Sequence, residues 1–371
     1  MKFLDTVVST EMSQTVRVKF SSMTWLHRNS CLRLHAALLS LWLSLLLSTV
    51  SRAQPPAPAE AATTSQTSVP AAPAPVTVRG PCDPDYWIVS SRCCQQELEC
   101  NQPCQHVVYR FDGSQNGRVS SLNELHASTQ PGVPVCFMVH GSFVTFESML
   151  RDSAGTYRWL RQAAPDRPVQ IVFYTWPSDE AFKILPNTVN LHAARCLGRR
   201  AALNSLYLAE LISHVPDDHP ICLIGHSHGA RMVAATLHLL AGGMVQGRCF
   251  SGGPYANHRI RAVLAAAAID HDWFNPGELY DRALGQAEAV INLKNRRDFP
   301  LVFHPTHKLF ATRALGRVGV TSSDQCRLGP TGSRIVDCEV AGVIGCGHVW
   351  PHYYRQPGIA CAIKDYVYFD N

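Results

Sequence analysis

The sequence predicts an α/β fold, in which a doubly wound, mostly parallel sheet is flanked by helices. Two patterns after residue 106 support this fold class. Short runs rich in Val, Ile and Phe are apolar on both faces, as strands covered by helices on both sides are. These runs alternate with longer amphipathic segments, and a repeated strand–helix–strand order implies right-handed crossovers within one sheet.

Each element is predicted from its length and its spacing of apolar residues. The predicted helices are residues 147–163, 191–214 and 230–240. In the second, Leu203, Leu206 and Tyr207 follow steps of three and four residues, which gives the helix one apolar face. The predicted strands are 107–111, 135–139, 171–175, 221–224, 262–269, 289–293 and 335–340.

The first 53 residues are predicted to be a secretory signal peptide. Positively charged residues precede an uncharged apolar run at 36–50, and Ser51-Arg52-Ala53 follows with small residues suited to cleavage after Ala53. The run has about fifteen residues, whereas a membrane-spanning helix needs about twenty. An uncleaved signal that tethers the protein to a membrane is the alternative. Met23 is an alternative start, because residues 1–22 lie upstream of the signal pattern.

Two further segments precede the main domain, which is predicted at 107–371. Residues 54–80 are rich in Pro and Ala and lack the apolar surface needed to offset ordering, so we expect a disordered linker. Residues 81–106 are rich in cysteine, without the paired C-x2-C spacing of zinc sites. Such a cluster is typical of disulfides in an oxidising compartment, although the spacing leaves their pairing open. We therefore expect an exported protein, in the periplasm, on the cell surface or secreted.

The charge distribution argues against a nucleic-acid partner. The formal net charge is +5, but the basic residues are spread along the chain without a long block. A nucleic-acid surface needs a clustered basic patch. The histidines that flank Ser227 have no carboxylate or third ligand at a suitable spacing, so neither a metal nor another cofactor is expected.

The pentapeptide Gly225-His226-Ser227-His228-Gly229 lies between a predicted strand and a predicted helix. In this context a G-x-S-x-G motif indicates a tight turn that exposes the serine above the edge of the sheet. The turn requires glycine on each side of the serine, because neighbouring backbones approach it closely. Ser227 is therefore the predicted nucleophile.

A nucleophilic serine needs donors for the oxyanion that forms in the reaction, and each is worth about 3 kcal/mol of barrier. The backbone N–H of His228 is expected to be the first donor. The second is expected from the loop after strand 135–139, which reads His140-Gly141-Ser142-Phe143. Either the Ser142 or the Phe143 N–H could serve.

The serine also needs a base, and the base needs an acid to orient it. Asp298 follows the second predicted strand after the tight turn at residues 225–229, which we call the elbow. This is the usual position of the acid. Asp270 and Asp272, which follow the strand at 262–269, are the alternatives. His348 lies in a glycine-containing loop near the C-terminus and is the predicted base, with His352 as the alternative.

Together these residues resemble the α/β-hydrolase superfamily. The resemblance is carried by Val139-His140-Gly141, the elbow at 225–229, Asp298 and Gly347-His348. Within the superfamily, Trp176-Pro177-Ser178 after strand 171–175 is similar to a motif of a poorly characterised bacterial, esterase-like group. The resemblance implies an α/β-hydrolase fold with Ser227, Asp298 and His348 as nucleophile, acid and base, but it implies no particular substrate.

The leading hypothesis is a serine hydrolase that cleaves an ester or related acyl bond through a Ser-His-Asp triad and an acyl-enzyme intermediate. A small-molecule or lipid-like acyl compound would be its substrate. The alternative is a catalytically inactive, hydrolase-fold binding module at the cell envelope. The expected linker at 54–80 and the cysteine-rich segment at 81–106 suggest that alternative.

Overall fold

The structure is a computed structural model that describes residues 85–94, 104–112, 117–179, 191–255, 258–304 and 313–369. The signal peptide expected at 1–53, the alternative start at Met23 and the linker expected at 54–80 lie outside these residues. Within the described ranges, no helix is long and apolar enough to cross a membrane.

The described residues form a nine-stranded sheet with the order β11-β10-β9-β6-β4-β5-β1-β2-β3. Every neighbouring pair from β11 to β1 is parallel, and β2 and β3 add an antiparallel edge. The mostly parallel α/β fold class is confirmed. The strands are β1 (Asp85–Ser90), β2 (Val107–Asp112), β3 (Arg118–Ser120), β4 (Val135–Val139), β5 (Gln170–Thr175), β6 (Ile221–His226), β9 (Ile260–Ala265), β10 (Ala289–Lys294) and β11 (Ile335–Glu339), with a separate hairpin of β7 (Met244–Val245) and β8 (Arg248–Cys249).

Two strands differ from the sequence prediction in ways that matter for the site. Strand β9 ends at Ala265 rather than at residue 269, and Ala266 has a φ of 46°, so the chain leaves the sheet there. Strand β1 pairs with β5 although it belongs to the cysteine-rich segment. Residue 107 therefore does not mark the start of the sheet.

Helices cover both faces of the sheet, as the doubly wound topology requires. Alternate residues of β4 show the division: Phe137 packs in the core that contains α3 and α4, whereas Met138 packs in the core that contains α2 and α10. The helices are α1 (Leu122–Ala127), α2 (Phe146–Ala163), α3 (Leu191–Ser213), α4 (His228–Leu240), α5 (Ala283–Gln286), α6 (Leu315–Val318), α7 (Ser322–Leu328), α8 (Ala341–Ile344), α9 (Pro351–Tyr354) and α10 (Pro357–Tyr368). Short 3₁₀ helices lie at Pro300–Phe303 and Gly329–Arg334.

A disulfide lies in the connection between β1 and β2. It joins Cys94 to Cys104. The prediction of a disulfide in the cysteine-rich segment is confirmed for this pair. The bond joins a residue shortly after β1 to one shortly before β2, and these two strands pair antiparallel.

Candidate active site

Ser227 lies in the turn between β6 and α4, with φ 55° and ψ −119°. A residue other than glycine rarely adopts a positive φ, so this turn is held by its surroundings. A Cβ at Gly225 would lie 2.6 Å from Ala230 Cα, and one at Gly229 would lie 2.3 Å from the Val139 carbonyl oxygen. Both positions therefore accept only glycine. Ser227 itself is buried, with 8% of its surface exposed.

The structure brings Ser227, His348 and Asp298 together. The Nε2 atom of His348 lies 3.1 Å from Ser227 Oγ. The Nδ1 atom of the same ring lies 2.8 Å from Asp298 Oδ2 and 3.1 Å from Oδ1. With Nδ1 protonated and bonded to the carboxylate, Nε2 is free to accept the hydroxyl proton.

Local hydrogen bonds fix the acid and the base relative to each other. Asp298 is fully buried, and its Oδ1 also accepts a hydrogen bond from the Leu301 N–H at 3.0 Å. Three residues earlier, the Asn295 side chain donates to the carbonyl groups of Gly345 and Gly347 at 3.0 and 3.1 Å. Asn295 thus ties the turn that carries Asp298 to the loop that carries His348.

The alternative acids and base have other contacts. Asp270 is buried and lies 2.9 Å from the Nε2 atom of His304, not against His348. Asp272 lies in the following turn, where its carbonyl group accepts the Asn275 N–H at 2.9 Å. His352 packs against Gly347, and within the described ranges its ring makes no hydrogen bond to Ser227. The geometry favours Asp298 and His348.

The loop after β4, residues 140–145, lies against the elbow and is called the β4 loop below. A Cβ at Gly141 would lie 2.9 Å from Ser227 Cβ, so only glycine allows this approach. The Phe143 N–H donates to the Ser178 carbonyl at 2.9 Å, which removes Phe143 as the second oxyanion donor. Among the described residues, neither the Ser142 nor the His228 backbone N–H has an acceptor. These two remain available for an oxyanion.

The histidines that flank Ser227 are held neutral by their surroundings. Burial lowers the pKa of His226 to about 3, and its Nε2–H donates to the His348 carbonyl at 2.6 Å. Burial also lowers the pKa of His228 well below the ordinary value, and its Nδ1 lies 2.6 Å from Ser142 Oγ. Nδ1 of a neutral His228 can accept a hydrogen bond from the Ser142 hydroxyl, and this bond joins the two segments that carry the free N–H groups.

The Trp176-Pro177-Ser178 motif positions the β4 loop, a role that the sequence reading did not identify. The Trp176 indole donates to the His140 carbonyl at 2.9 Å, and its ring stacks on the His140 ring with centroids 5.9 Å apart. The Ser178 hydroxyl donates to the Val144 carbonyl at 2.9 Å. The motif thus holds the loop at both ends.

Arg92, next to the cysteine pair at 93 and 94, also contacts this loop. Its guanidinium donates to the Val144 carbonyl and to Asp179, each at 2.7 Å. Its Nε–H donates to Thr175 Oγ1 at 2.9 Å. The cysteine-rich segment therefore contributes to the site through an arginine, which cysteine spacing alone could not reveal.

The described ranges contain no group of three or more His, Cys, Asp or Glu side chains arranged to hold a metal ion. The polar side chains around Ser227 instead form hydrogen bonds with one another. The site can thus offer a hydroxyl nucleophile, a paired imidazole and two free backbone donors.

The chain is distantly similar to several solved structures. No protein-family model and no curated protein matches the chain. One solved structure is a cutinase-like protein from Cryptococcus sp., with 14% identity over 63% of this chain and 92% of that one, at a TM-score of 0.29. Another is an iodinated complex of acetyl xylan esterase, with 11% identity over 65% of this chain and 97% of that one, also at 0.29. At these scores neither likeness supports an inference about the activity of this chain.

Proposed function

We propose that the chain is an exported serine hydrolase that cleaves an ester or related acyl bond through an acyl-enzyme intermediate. The proposed nucleophile is Ser227, the proposed base is His348 and the proposed acid is Asp298. The main support is the His348 ring, which lies 3.1 Å from Ser227 Oγ on one side and 2.8 Å from Asp298 Oδ2 on the other. These distances lie within the hydrogen-bonding range that general-base catalysis requires.

In the first half of the reaction, Ser227 Oγ attacks the acyl carbonyl carbon while its proton passes to His348 Nε2. The Asp298 carboxylate stabilises the resulting imidazolium. The tetrahedral intermediate then expels the alcohol, which takes the proton from Nε2, and the acyl group stays on Oγ. Water repeats the sequence on the acyl-enzyme and releases the acid, which leaves Ser227 and His348 as they began.

The negative charge on the tetrahedral intermediate would be stabilised by the backbone N–H groups of His228 and Ser142. The His228 donor lies at the N-terminus of α4, where the helix dipole also favours negative charge. Loss of one such donor costs about 10²- to 10³-fold in kcat. The hydrogen bond between Ser142 Oγ and His228 Nδ1 supports this assignment, because at 2.6 Å it joins the side chains of the two residues that carry the proposed donors.

An apolar acyl group is the proposed substrate feature. Several large apolar side chains are about half exposed in the loops that carry the proposed catalytic groups, and we call them the apolar rim: Phe143, Phe299, Val302, Phe303 and Val349. Phe299 and Val349 directly follow Asp298 and His348. Exposed apolar side chains beside the proposed catalytic groups indicate a binding surface, and a lipid-like acyl ester would fit it.

The inactive binding module requires an elbow whose serine lies beyond reach of a base. The 3.1 Å distance between Ser227 and His348 does not support that alternative. Nor does the backbone of Ser227, because a strained turn of about 1–3 kcal/mol would serve no purpose in a module that needs no exposed hydroxyl.

The decisive experiment is labelling with a fluorophosphonate probe, which reacts with activated serines. We expect the wild type to be labelled and Ser227→Ala not to be, with ester turnover falling by about 10⁶-fold, as for loss of a triad serine. Ser148→Ala, which removes a half-buried hydroxyl in the first turn of α2, is the matched control and should retain labelling. A folded wild type that neither reacts with the probe nor cleaves any aryl ester contradicts the proposal.

Export is proposed from the signal pattern and is consistent with the Cys94–Cys104 disulfide, since disulfides persist in oxidising compartments. N-terminal sequencing of protein recovered outside the cytoplasm should begin at Gln54. Accumulation of the uncleaved chain in a membrane fraction would instead support the tethered form.

A further inference from the structure

A cleft of about 460 Å³ lies at the edge of the sheet beyond β10 and β11, apart from the triad. Its lining is strongly basic: Lys294, Arg296, Arg313, Arg317, Val318 and Glu339. Four cationic side chains thus surround the cleft with a single carboxylate among them. The triad residues are absent from this lining, so the proposed reaction assigns no role to the cleft.

The arginines of the cleft have no counterion within the described part of the chain. Arg296, Arg313 and Arg317 make no side-chain hydrogen bond or ion pair there. The Nε atom of Arg317 is also buried without a hydrogen-bond partner. A buried donor of a charged group is costly when unsatisfied, and in native proteins such a donor usually has an ion or water as its partner.

The acidic groups near the cleft do not neutralise it. Glu339 accepts a hydrogen bond from the Ala341 N–H at 3.1 Å and forms no ion pair with the arginines. The Lys294 ammonium lies 3.7 Å from Asp337, a distance at the limit of an ion pair. Three guanidinium groups around one space therefore keep their charge and their donors available.

We propose that this cationic cleft binds an oxyanion, of the phosphate or carboxylate class. Guanidinium groups offer paired N–H donors that match two oxygens of such an anion, and these charge-assisted bonds are stronger than neutral ones. The volume admits an anion together with part of an organic molecule. A bound oxyanion would satisfy the Arg317 Nε–H and relieve the repulsion among the guanidinium groups.

The cleft lies close to the proposed catalytic groups along the chain and in the sheet. Arg296 is two residues from Asp298, and Lys294 and Arg296 flank Asn295, which holds the His348 loop. Strand β10 is two strands from β6, which corresponds to about 10 Å at ordinary strand spacing. The anion could thus be free in solution or could be the charged end of an ester whose carbonyl reaches Ser227.

Binding is tested with inorganic phosphate and with succinate, measured by calorimetric titration and by the rise in Tm against sodium chloride of equal ionic strength. Arg317→Gln and the more exposed Arg296→Gln should each weaken binding by about tenfold or more, the effect of losing a charge-assisted hydrogen bond. Arg297→Gln is the matched control, because it removes the same charge one residue away from the lining and should leave affinity nearly unchanged. Absence of anion-specific binding to the folded wild type, or an equal loss in Arg297→Gln, overturns the proposal.

A second measurement identifies the source of the anion. Turnover of p-nitrophenyl acetate is compared with turnover of the p-nitrophenyl monoester of glutaric acid, which carries a distal carboxylate. A selective loss of kcat/KM for the anionic ester in Arg317→Gln identifies the anion as part of the substrate. Unchanged kcat/KM for both esters, with phosphate affinity lost, identifies a free anion. The binding measurement needs no catalysis, so failure of the proposed hydrolase activity would leave it valid.

Discussion

Ser227 combines a strained backbone with a side chain that does not cap the helix it begins. Its φ of 55° costs about 1–3 kcal/mol in a residue other than glycine. In most helices a serine at this position would accept a hydrogen bond from the first turn. Here the hydroxyl is directed to His348, and the His228 N–H is left without an acceptor among the described residues. The same turn thus carries the proposed nucleophile and one proposed oxyanion donor.

At Asp298 we expect substitution by Asn to reduce kcat by about 10⁴-fold, the effect of an amide that stabilises the wrong tautomer of the base. The chain offers a matched control, because Asp270 is another buried aspartate paired with a histidine, His304, at 2.9 Å. Steady-state kinetics on a neutral aryl ester should give a far smaller loss for Asp270→Asn. Equal losses in two folded variants would contradict the assignment of Asp298 as the acid.

At the scale of elements, the β4 loop is held by hydrogen bonds from β5 and from the segment after it. Removing the indole donor with Trp176→Phe should displace Ser142 and lower kcat about tenfold or more with little change in KM, since an oxyanion donor acts in the transition state. Trp159→Phe is the control, because it removes an indole bond of the same length to the Gln356 carbonyl. A change in KM alone for Trp176→Phe would argue against a positioning role.

The apolar rim predicts a dependence on acyl-chain length. Val349→Ser should lower kcat/KM for long-chain esters by about tenfold, because about 1–2 kcal/mol of apolar contact is lost, and should spare acetate esters. Val119→Ser, on the far edge strand β3, removes a more exposed valine and should change neither rate. Equal effects of Val349→Ser on short and long esters would exclude an acyl-binding role for this residue.

The strands and loops differ in how well they could be predicted from the sequence. Strands β4, β6 and β10 could be predicted because each consists mostly of apolar residues, and the elbow because close packing forces glycine at 225 and 229. Pairing of β1 with β5 is a long-range contact with no local signal. The roles of Arg92 and Trp176 likewise depend on hydrogen bonds between loops. The preference for Ser142 over Phe143 as the proposed donor does so too, because the Ser178 carbonyl accepts the Phe143 N–H.

At the scale of the whole molecule, the parallel sheet explains why distant residues meet. Strands β6, β10 and β11 run in the same direction, so the loops after their carboxyl ends lie at one edge of the sheet. Ser227, Asp298 and His348 each follow one of these strands. The cationic cleft lies at this edge as well, beyond β10 and β11. The sheet topology therefore places the cationic cleft and the proposed catalytic groups at one edge of the sheet. The two hydrophobic cores on its faces fix the strands that carry these groups.

Buried histidines make the stability of the molecule sensitive to acid. Burial lowers the pKa of His140 and of His226 to about 3, and that of His106 to about 4. Below their ordinary pKa of 6.5 the unfolded chain binds protons that the folded chain does not. The free energy of unfolding therefore falls as the pH falls from about 6.5 towards 4, by up to about 1.4 kcal/mol per pH unit for each such histidine.

Carboxylates also make the free energy of unfolding depend on pH, but mainly at lower pH than the histidines do. Hydrogen bonds from Thr321 and Asn275 outweigh burial and lower the pKa of Asp324, so the stability it contributes is lost only below its ordinary value of 3.8. Burial raises the pKa of Asp152, and this single group opposes the histidines as it gains its proton. Between pH 6.5 and about 5 the histidines should dominate, because three histidines with lowered pKa values oppose the one raised carboxyl group, while Asp324 stays ionised in both the folded and the unfolded chain.

Urea unfolding at a series of pH values, with the disulfide intact, tests this prediction. His226→Gln keeps a donor for the His348 carbonyl but removes one group that titrates. The variant should be less stable than the wild type at neutral pH, and the difference should shrink on acidification because its stability falls less steeply. The slopes should differ by about 1.4 kcal/mol per pH unit at most. Parallel slopes for the two proteins would mean that His226 takes up its proton equally in the folded and unfolded states, which its burial and its bond to His348 argue against.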